Sequence, residues 1–187
     1  MSLWERDRNA ATTDLINHNI QAIRQITNVR YYSTERGFAP EFYRHLYAIL
    51  ENNKLFPNHT ILEAEVQKRT KKHYGVKQRP DILIHIPLEQ GLTENANENN
   101  FVNYAFKLRG YRGEVKKDFN KLDQMFLQLN YELGFFINVS AYPRTYLSLY
   151  EGNFKSRIHE LSIGLVNGLV SVKHSFFVDE NLVINEV

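Results

Sequence analysis

The chain has 187 residues, of which 43% are hydrophobic, with a formal net charge of +2 and no cysteine. That composition supports one sizeable core in a single domain, residues 1–187, while excluding disulfides, Cys-ligated zinc and thiol catalysis and suiting a reducing compartment. No run approaches the roughly 18 apolar residues of a membrane span, and the charged stretch from Met1 to Asn9 lacks a signal-peptide core, so a cytoplasmic protein with no membrane partner is expected.

In chain order, Thr12 or Thr13 can cap a first helix over about 13–27, because a hydroxyl there accepts an otherwise orphan backbone N–H. Ile16, Ile20, Ile23 and Ile26 give that helix one apolar stripe. A second helix is expected to begin at Pro40, whose missing N–H costs nothing in a first turn, and to run through Phe42, Leu46, Ile49 and Leu50 to Asn52. Glu41 would stand in its first turn.

Ile61 to Val66 alternates as a half-buried strand should, with Leu62, Ala64 and Val66 on one face and Ile61, Glu63 and Glu65 on the other. Lys68, Arg69, Lys71, Lys72, Lys77 and Arg79 follow within a stretch that holds no acid. Such a cluster can track a phosphate backbone by displacing counterions, or be a solvated surface loop. Ile82 to Ile86 reads as the next strand, since isoleucines at period two form no helical stripe, and Pro80 and Pro87 bracket it. The Asn- and Glu-rich stretch from Leu88 to Asn100 reads as a loop.

Phe101 to Leu108 is a third strand, with Val102, Tyr104, Phe106 and Leu108 on one face and Asn103, Ala105 and Lys107 on the other. Val115, Phe119, Leu122, Phe126, Leu129 and Leu133 then recur in steps of three and four, the clearest helical pattern in the chain, with Lys117, Lys121, Gln124 and Gln128 on an adjacent polar stripe. Gly134 is expected to end that helix and Phe135 to Val139 to form a buried strand. Asn167-Gly168 suits a type I′ turn, predicting a C-terminal hairpin over about 160–178, and Leu182 to Ile184 adds a short strand.

Glu41, Arg79-Pro80-Asp81, Lys107 and Lys121 thus fall on a succession of helix, strand, strand, strand, helix and strand between Pro40 and Val139. This arrangement resembles the PD-(D/E)XK nuclease superfamily over residues 39–140. The resemblance implies an α/β protein with a restriction-endonuclease-like mixed central sheet flanked by helices, to which a C-terminal β-hairpin is added. It also implies metal-dependent phosphodiester hydrolysis of DNA. Mg²⁺ (or Mn²⁺) would be held by Asp81, by the main-chain carbonyl of Phe106 and ordinarily by a Glu at the position of Ala105. Lys107 would orient or deprotonate the attacking water, Glu41 would support the metal, and Lys68, Arg69, Lys71, Lys72, Arg79, Lys117 and Lys121 would grip nucleic acid.

Ala105 carries no oxygen, which makes the site degenerate and metal affinity correspondingly low. Glu65 or Glu63 can substitute from the neighbouring strand, with Glu65 preferred because it leads towards the basic loop. Glu114-Val115-Lys116 also matches Glu-x-Lys literally, although Glu114 serves naturally as a first-turn helix acid. With no substitute, the fold becomes a non-catalytic module that binds nucleic acid or protein. The bland readings stand beside these: Asp81 as a strand-entry residue, Lys107 as an edge-strand charge, Glu41 as a helix acid, and Lys117 and Lys121 as a solvated face. None of the histidines forms a His-x-x-x-His pair, and the tyrosines offer either stacking platforms or core-margin packing. In a homodimeric form, the hairpin around Asn167-Gly168 would complete the interface.

Overall fold

The computed structural model describes residues 1–64, 80–87 and 99–187. Glu65, Lys68, Arg69, Lys71, Lys72, Lys77 and Arg79 lie outside the described residues, as does the stretch from Leu88 to Glu98 expected to be a loop. A short helix α1 (Leu3–Arg6) opens the chain on a capping box between Ser2 and Glu5. Asp7 ends it and starts α2 (Arg8–Gln25), its carboxylate accepting the Ala10 N–H at 3.0 Å. The first long helix therefore begins upstream of the threonines expected to cap it. Thr13 sits inside and donates to the Asn9 carbonyl instead.

Helix α3 (Glu35–Glu51) is capped by Thr34, whose hydroxyl accepts from the Gly37 N–H at 3.0 Å. Pro40 lies within this helix rather than at its start, where it removes the N–H that would have bonded the carbonyl one turn back and sets its ring against that carbonyl. Glu41 accordingly falls beyond the first turn.

The described strands form one mixed sheet in sequential order: β1 (Ile61–Ala64), β2 (Ile82–His85), β3 (Asn100–Leu108), β4 (Leu133–Ser140), β5 (Ile158–Val166), β6 (Leu169–Val178) and β7 (Asn181–Glu186). The pairs β3 with β4 and β4 with β5 are parallel, and the others are antiparallel. Helix α4 (Arg112–Leu129) makes the crossover from β3 to β4. The chain is thus α/β with a seven-stranded mixed sheet flanked by helices. The hairpin at Asn167 (φ 52°) and Gly168 (φ 78°) has the left-handed pair that a type I′ turn requires. It is not an appendage, because β5 pairs along its length with β4 and carries the central sheet onwards.

The period-two alternation of β3 sorts the core into two layers. Val102, Tyr104 and Phe106 face α2 and α3, where Phe42 packs 5.8 Å from Tyr104 and 5.5 Å from Phe106 between ring centroids. Ala105 faces α4 with Val115, Phe119, Leu122, Met125 and Phe126. The α4 stripe ends earlier than its spacing predicts. Asn130, at φ 51°, turns the chain left-handed, and Leu133 and Gly134 belong to β4. A Cβ at Gly134 would stand 2.6 Å from the Phe126 ring, so this glycine permits the close seat of α4 on the sheet.

Candidate functional site

Because β2 runs antiparallel to β3, the start of β2 and the carboxyl end of β3 coincide in space. Ligands of parallel α/β sheets bind beyond the carboxyl ends of the strands, where loops and helix N-termini gather. Asp81 stands at this end, its N–H donating to the Tyr104 carbonyl at 3.1 Å and its Oδ2 accepting from the Phe106 N–H at 2.7 Å. Both hydrogen bonds tie it to β3, so its carboxylate is held between the helix layers. The main chain of Phe106 thus meets Asp81 through its amide rather than as a fellow carbonyl ligand.

Glu35, at the start of α3, reaches the same end, where its Oε2 accepts from the Leu108 N–H at 3.3 Å. Glu35 and Asp81 line one cleft of about 530 Å³ together with Arg36, Pro40, Tyr43 and Phe106. Burial lifts the Asp81 carboxyl to about 6; the Phe106 N–H and Lys121 pull it down, while Glu35 and Asp118 push it up. An acid with this surrounding is held against its own charge.

On the α4 side, Lys107 Nζ lies 3.3 Å from Asp118 Oδ2, and Lys121 Nζ lies 2.7 Å from Asp118 Oδ1. Asp118 is almost wholly buried and gathers both ammoniums. Burial opposes the charged form of Lys107, but Asp118, Glu35 and Glu114 outweigh it and raise its pKa above the ordinary lysine value. Lys107 is therefore a fixed cation. Its aliphatic stem runs against Gly110, where a Cβ would fall 2.7 Å from Lys107 Cγ. A cavity of about 30 Å³, roughly one water in size, is bordered by Ala105, Asp81, Asp118 and Lys121.

Of the residues singled out from the sequence, Asp81, Phe106, Lys107 and Lys121 come together at this end. Lys117 is exposed on α4 and makes no ion pair among the described residues. Glu41 does not line the cleft, and its carboxylate is taken by Arg44 at 2.8 Å with His45 at 3.8 Å. Glu63 is engaged by His85 at 2.9 Å. Glu114 sits in the first turn of α4, as its position before the helical stripe implies. Glu65, Lys68, Arg69, Lys71, Lys72 and Arg79 are outside the described residues.

Glu35 and Asp118 were missed, although each left a signal. Phe38 precedes Phe42 and Leu46 at helical spacing, which extends the α3 stripe upstream of Pro40 and brings Glu35 into the helix. Asp118 is three residues after Val115 and four before Leu122, which places an acid on the inward face of α4. Among the described residues, no group of three or more His, Asp or Glu side chains stands at metal-holding separation. Nor is any described helix long and apolar enough to cross a membrane. Comparison of the chain with protein-family models, curated proteins and solved structures finds no match.

Proposed function

We propose that this end of the sheet is a metal-dependent phosphodiester-hydrolysing site of PD-(D/E)XK type acting on DNA, in which Glu35 supplies the carboxylate that Ala105 cannot. The observation that carries the proposal is the meeting of Glu35 and Asp81 on one cleft, with the fixed ammonium of Lys107 near enough for Glu35 to raise its pKa. The donor set fits a hard cation, since Asp81 Oδ1 and Glu35 Oε1 accept no hydrogen bond among the described residues. Charge agrees, because Glu35 and Asp118 each disfavour the ionised form of Asp81 and a cation would relieve that repulsion.

Bound there by Asp81 and Glu35, Mg²⁺ or Mn²⁺ would lower the pKa of a coordinated water and offset charge on phosphorus. The chain's own residues do the remaining work. Phe106 N–H fixes the rotamer of Asp81 through one carboxylate oxygen and leaves the other without a hydrogen bond among the described residues. Lys107 keeps its proton, so it acts as a donor and counter-charge to a phosphate oxygen, not as the base. Asp118 aims that ammonium, and the exposed Lys121 extends positive charge towards the incoming strand.

A second reading, a nucleic-acid-binding module without hydrolysis, is favoured by Ala105 and by the pairing of both lysines with Asp118. Cleavage of DNA in Mg²⁺ and in Mn²⁺ separates the two. Metal-dependent cutting that is lost in Asp81→Ala and in Glu35→Gln supports the hydrolytic site. Failure of the wild type to cut, with DNA binding that survives chelation and Asp81→Ala, selects the module.

A further inference from the structure

We infer that the two loops leaving β3 and β4 form a platform for single-stranded nucleic acid, with Tyr111 and Tyr142 stacking bases and Arg109, Arg112 and Arg144 taking phosphates. The passage of that strand to Asp81 rests on the hydrolytic reading; the platform itself does not. Leu108 of β3 pairs with Val139 of β4, so the chain segments that follow emerge side by side at the end where Asp81 and Lys107 stand. Tyr111 is 78% exposed and Tyr142 is 72% exposed, the two most exposed aromatic side chains among the described residues. Arg109, Arg112 and Arg144 are exposed, and none pairs with a carboxylate among the described residues.

The loops are built, and buried polar groups build them. Wholly buried Glu160 of β5 accepts from the Tyr146 N–H at 2.8 Å and the Leu147 N–H at 2.7 Å. The Arg144 carbonyl accepts from Asn138 Nδ2 and Ser162 Oγ, each at 2.9 Å. A Cβ at Gly164 would meet Pro143 at 2.6 Å, so the loop rests directly on β5. Tyr146 then donates its phenol O–H to the Gly110 carbonyl at 2.7 Å, which ties this loop to the other. The same ring carries the Arg144 guanidinium 5.3 Å from its centroid, which steadies that cation without neutralising it. Desolvated polar groups are costly, and here they fix a surface whose outward cations have no counter-charge among the described residues.

Helix α4 begins against local preference in the same place. Its N-cap is Tyr111, with no side-chain cap, and Arg112 follows at the positive end of the helix dipole. Gly113 comes next, where a Cβ would meet nothing within 4 Å, so packing does not require a glycine there. Rules broken without structural gain point to ligand contact. Exposed aromatic rings with arginines close by in sequence suit unpaired bases, whose faces are free, and not a duplex, whose faces are already stacked.

The test is fluorescence anisotropy in excess chelator, which removes cleavage from the measurement. Labelled oligothymidylate and oligouridylate of about twenty nucleotides and a labelled DNA hairpin duplex are compared. Tighter binding of either single strand than of the duplex is expected, with the DNA and RNA arms telling which strand is preferred. Tyr111→Ala/Tyr142→Ala should weaken single-strand binding by at least about tenfold, whereas Tyr47→Ala on α3 should leave it unchanged. Because the tyrosines are exposed, folding is not expected to suffer, and circular dichroism checks this. Independently, replacing the three arginines with Gln should reduce the slope of log affinity against log salt by about 2. Equal or tighter duplex binding, no single-strand binding, or wild-type affinity in the tyrosine variant overturns the inference. Metal-dependent cleavage without single-strand binding would sink the platform and leave the hydrolytic reading, whereas single-strand binding without cleavage does the reverse.

Discussion

Replacing Asp81 with Asn should make the protein more stable, and by an amount that depends on pH. The Asn side-chain oxygen can still accept the Phe106 N–H that Asp81 Oδ2 accepts at 2.7 Å, so the substitution removes charge while keeping the bond. Asp81 is raised from 3.8 to about 6 in the folded chain, first by burial and then by the neighbouring acids. At about 1.4 kcal/mol per pKa unit, ionising it in the native state costs roughly 2–3 kcal/mol. The sign follows from linkage: the folded state binds this proton more tightly, so stability declines as pH rises from the unfolded value through the folded one and is level above it. The substituted amide does not titrate. In chelator at pH 8, Asp81→Asn should gain about 2 kcal/mol, or a Tm higher by roughly 4–8 °C. At about pH 4.5 the wild type keeps Asp81 largely protonated when folded, and the gain should fall below about half. Urea unfolding of both proteins at the two pH values provides the measurement. A variant no more stable than wild type at pH 8, or a gain independent of pH, would refute the account of Asp81 as a carboxylate held against its charge.

Other expectations follow from the same geometry. Mn²⁺ should raise the Tm of the wild type and not that of Asp81→Asn, since a ligand stabilises the state that binds it; equal shifts in a thermal-shift titration would exclude Asp81 as a ligand. Ala105→Glu extends a carboxylate into the small cavity beside Asp81, Asp118 and Lys121. It should lower the Mn²⁺ midpoint by about tenfold or more while destabilising the metal-free protein by about 1–2 kcal/mol, and an unchanged titration would separate that cavity from the metal. Glu160→Ala should cost about 2–4 kcal/mol, because it removes the oxygen that accepts the buried Tyr146 and Leu147 N–H groups; urea midpoints matching wild type would contradict that anchoring. Burial holds His159 down to about 3 and His174 to about 4, and the two rings share a 3.0 Å contact between Nδ1 and Nε2. Their depressed values mean that stability is present above about pH 6.5 and is lost as pH falls below it. His174→Asn should flatten the fall in urea midpoint between about pH 6.5 and 4.5.

Elements governed by local periodicity were legible. The α4 stripe, the alternation of β3 and the Asn167-Gly168 turn each depend on neighbours in sequence; the alternation and the turn stand where their spacing places them, and the α4 stripe does so as far as Leu129. Misjudged boundaries came from weighing one strong residue over a pattern. Pro40 obscured the Thr34 cap, and with it Glu35, while Gly134 drew the end of α4 past Asn130. The candidate site was half legible. Asp81 and Lys107 sit on recognisable strand positions, but their companions depend on which strand ends meet, and that is set by the antiparallel entry of β2 beside the parallel exit of β3. Exposed Tyr111 and Tyr142 carry no period at all. Only the register of Leu108 with Val139 brings the loops that carry them out side by side.

The buried carboxyl of Glu160 bears on where this chain can be cut. A fragment ending near residue 140 would retain the helix and strand succession that suggested a nuclease core. It would lack Tyr146 and the Glu160 that seats it, and with them the phenol hydrogen bond to Gly110, the residue against which the Lys107 stem lies. The smallest autonomous unit is thus longer than its motifs, since a residue on β5 disciplines a lysine on β3 that it never touches.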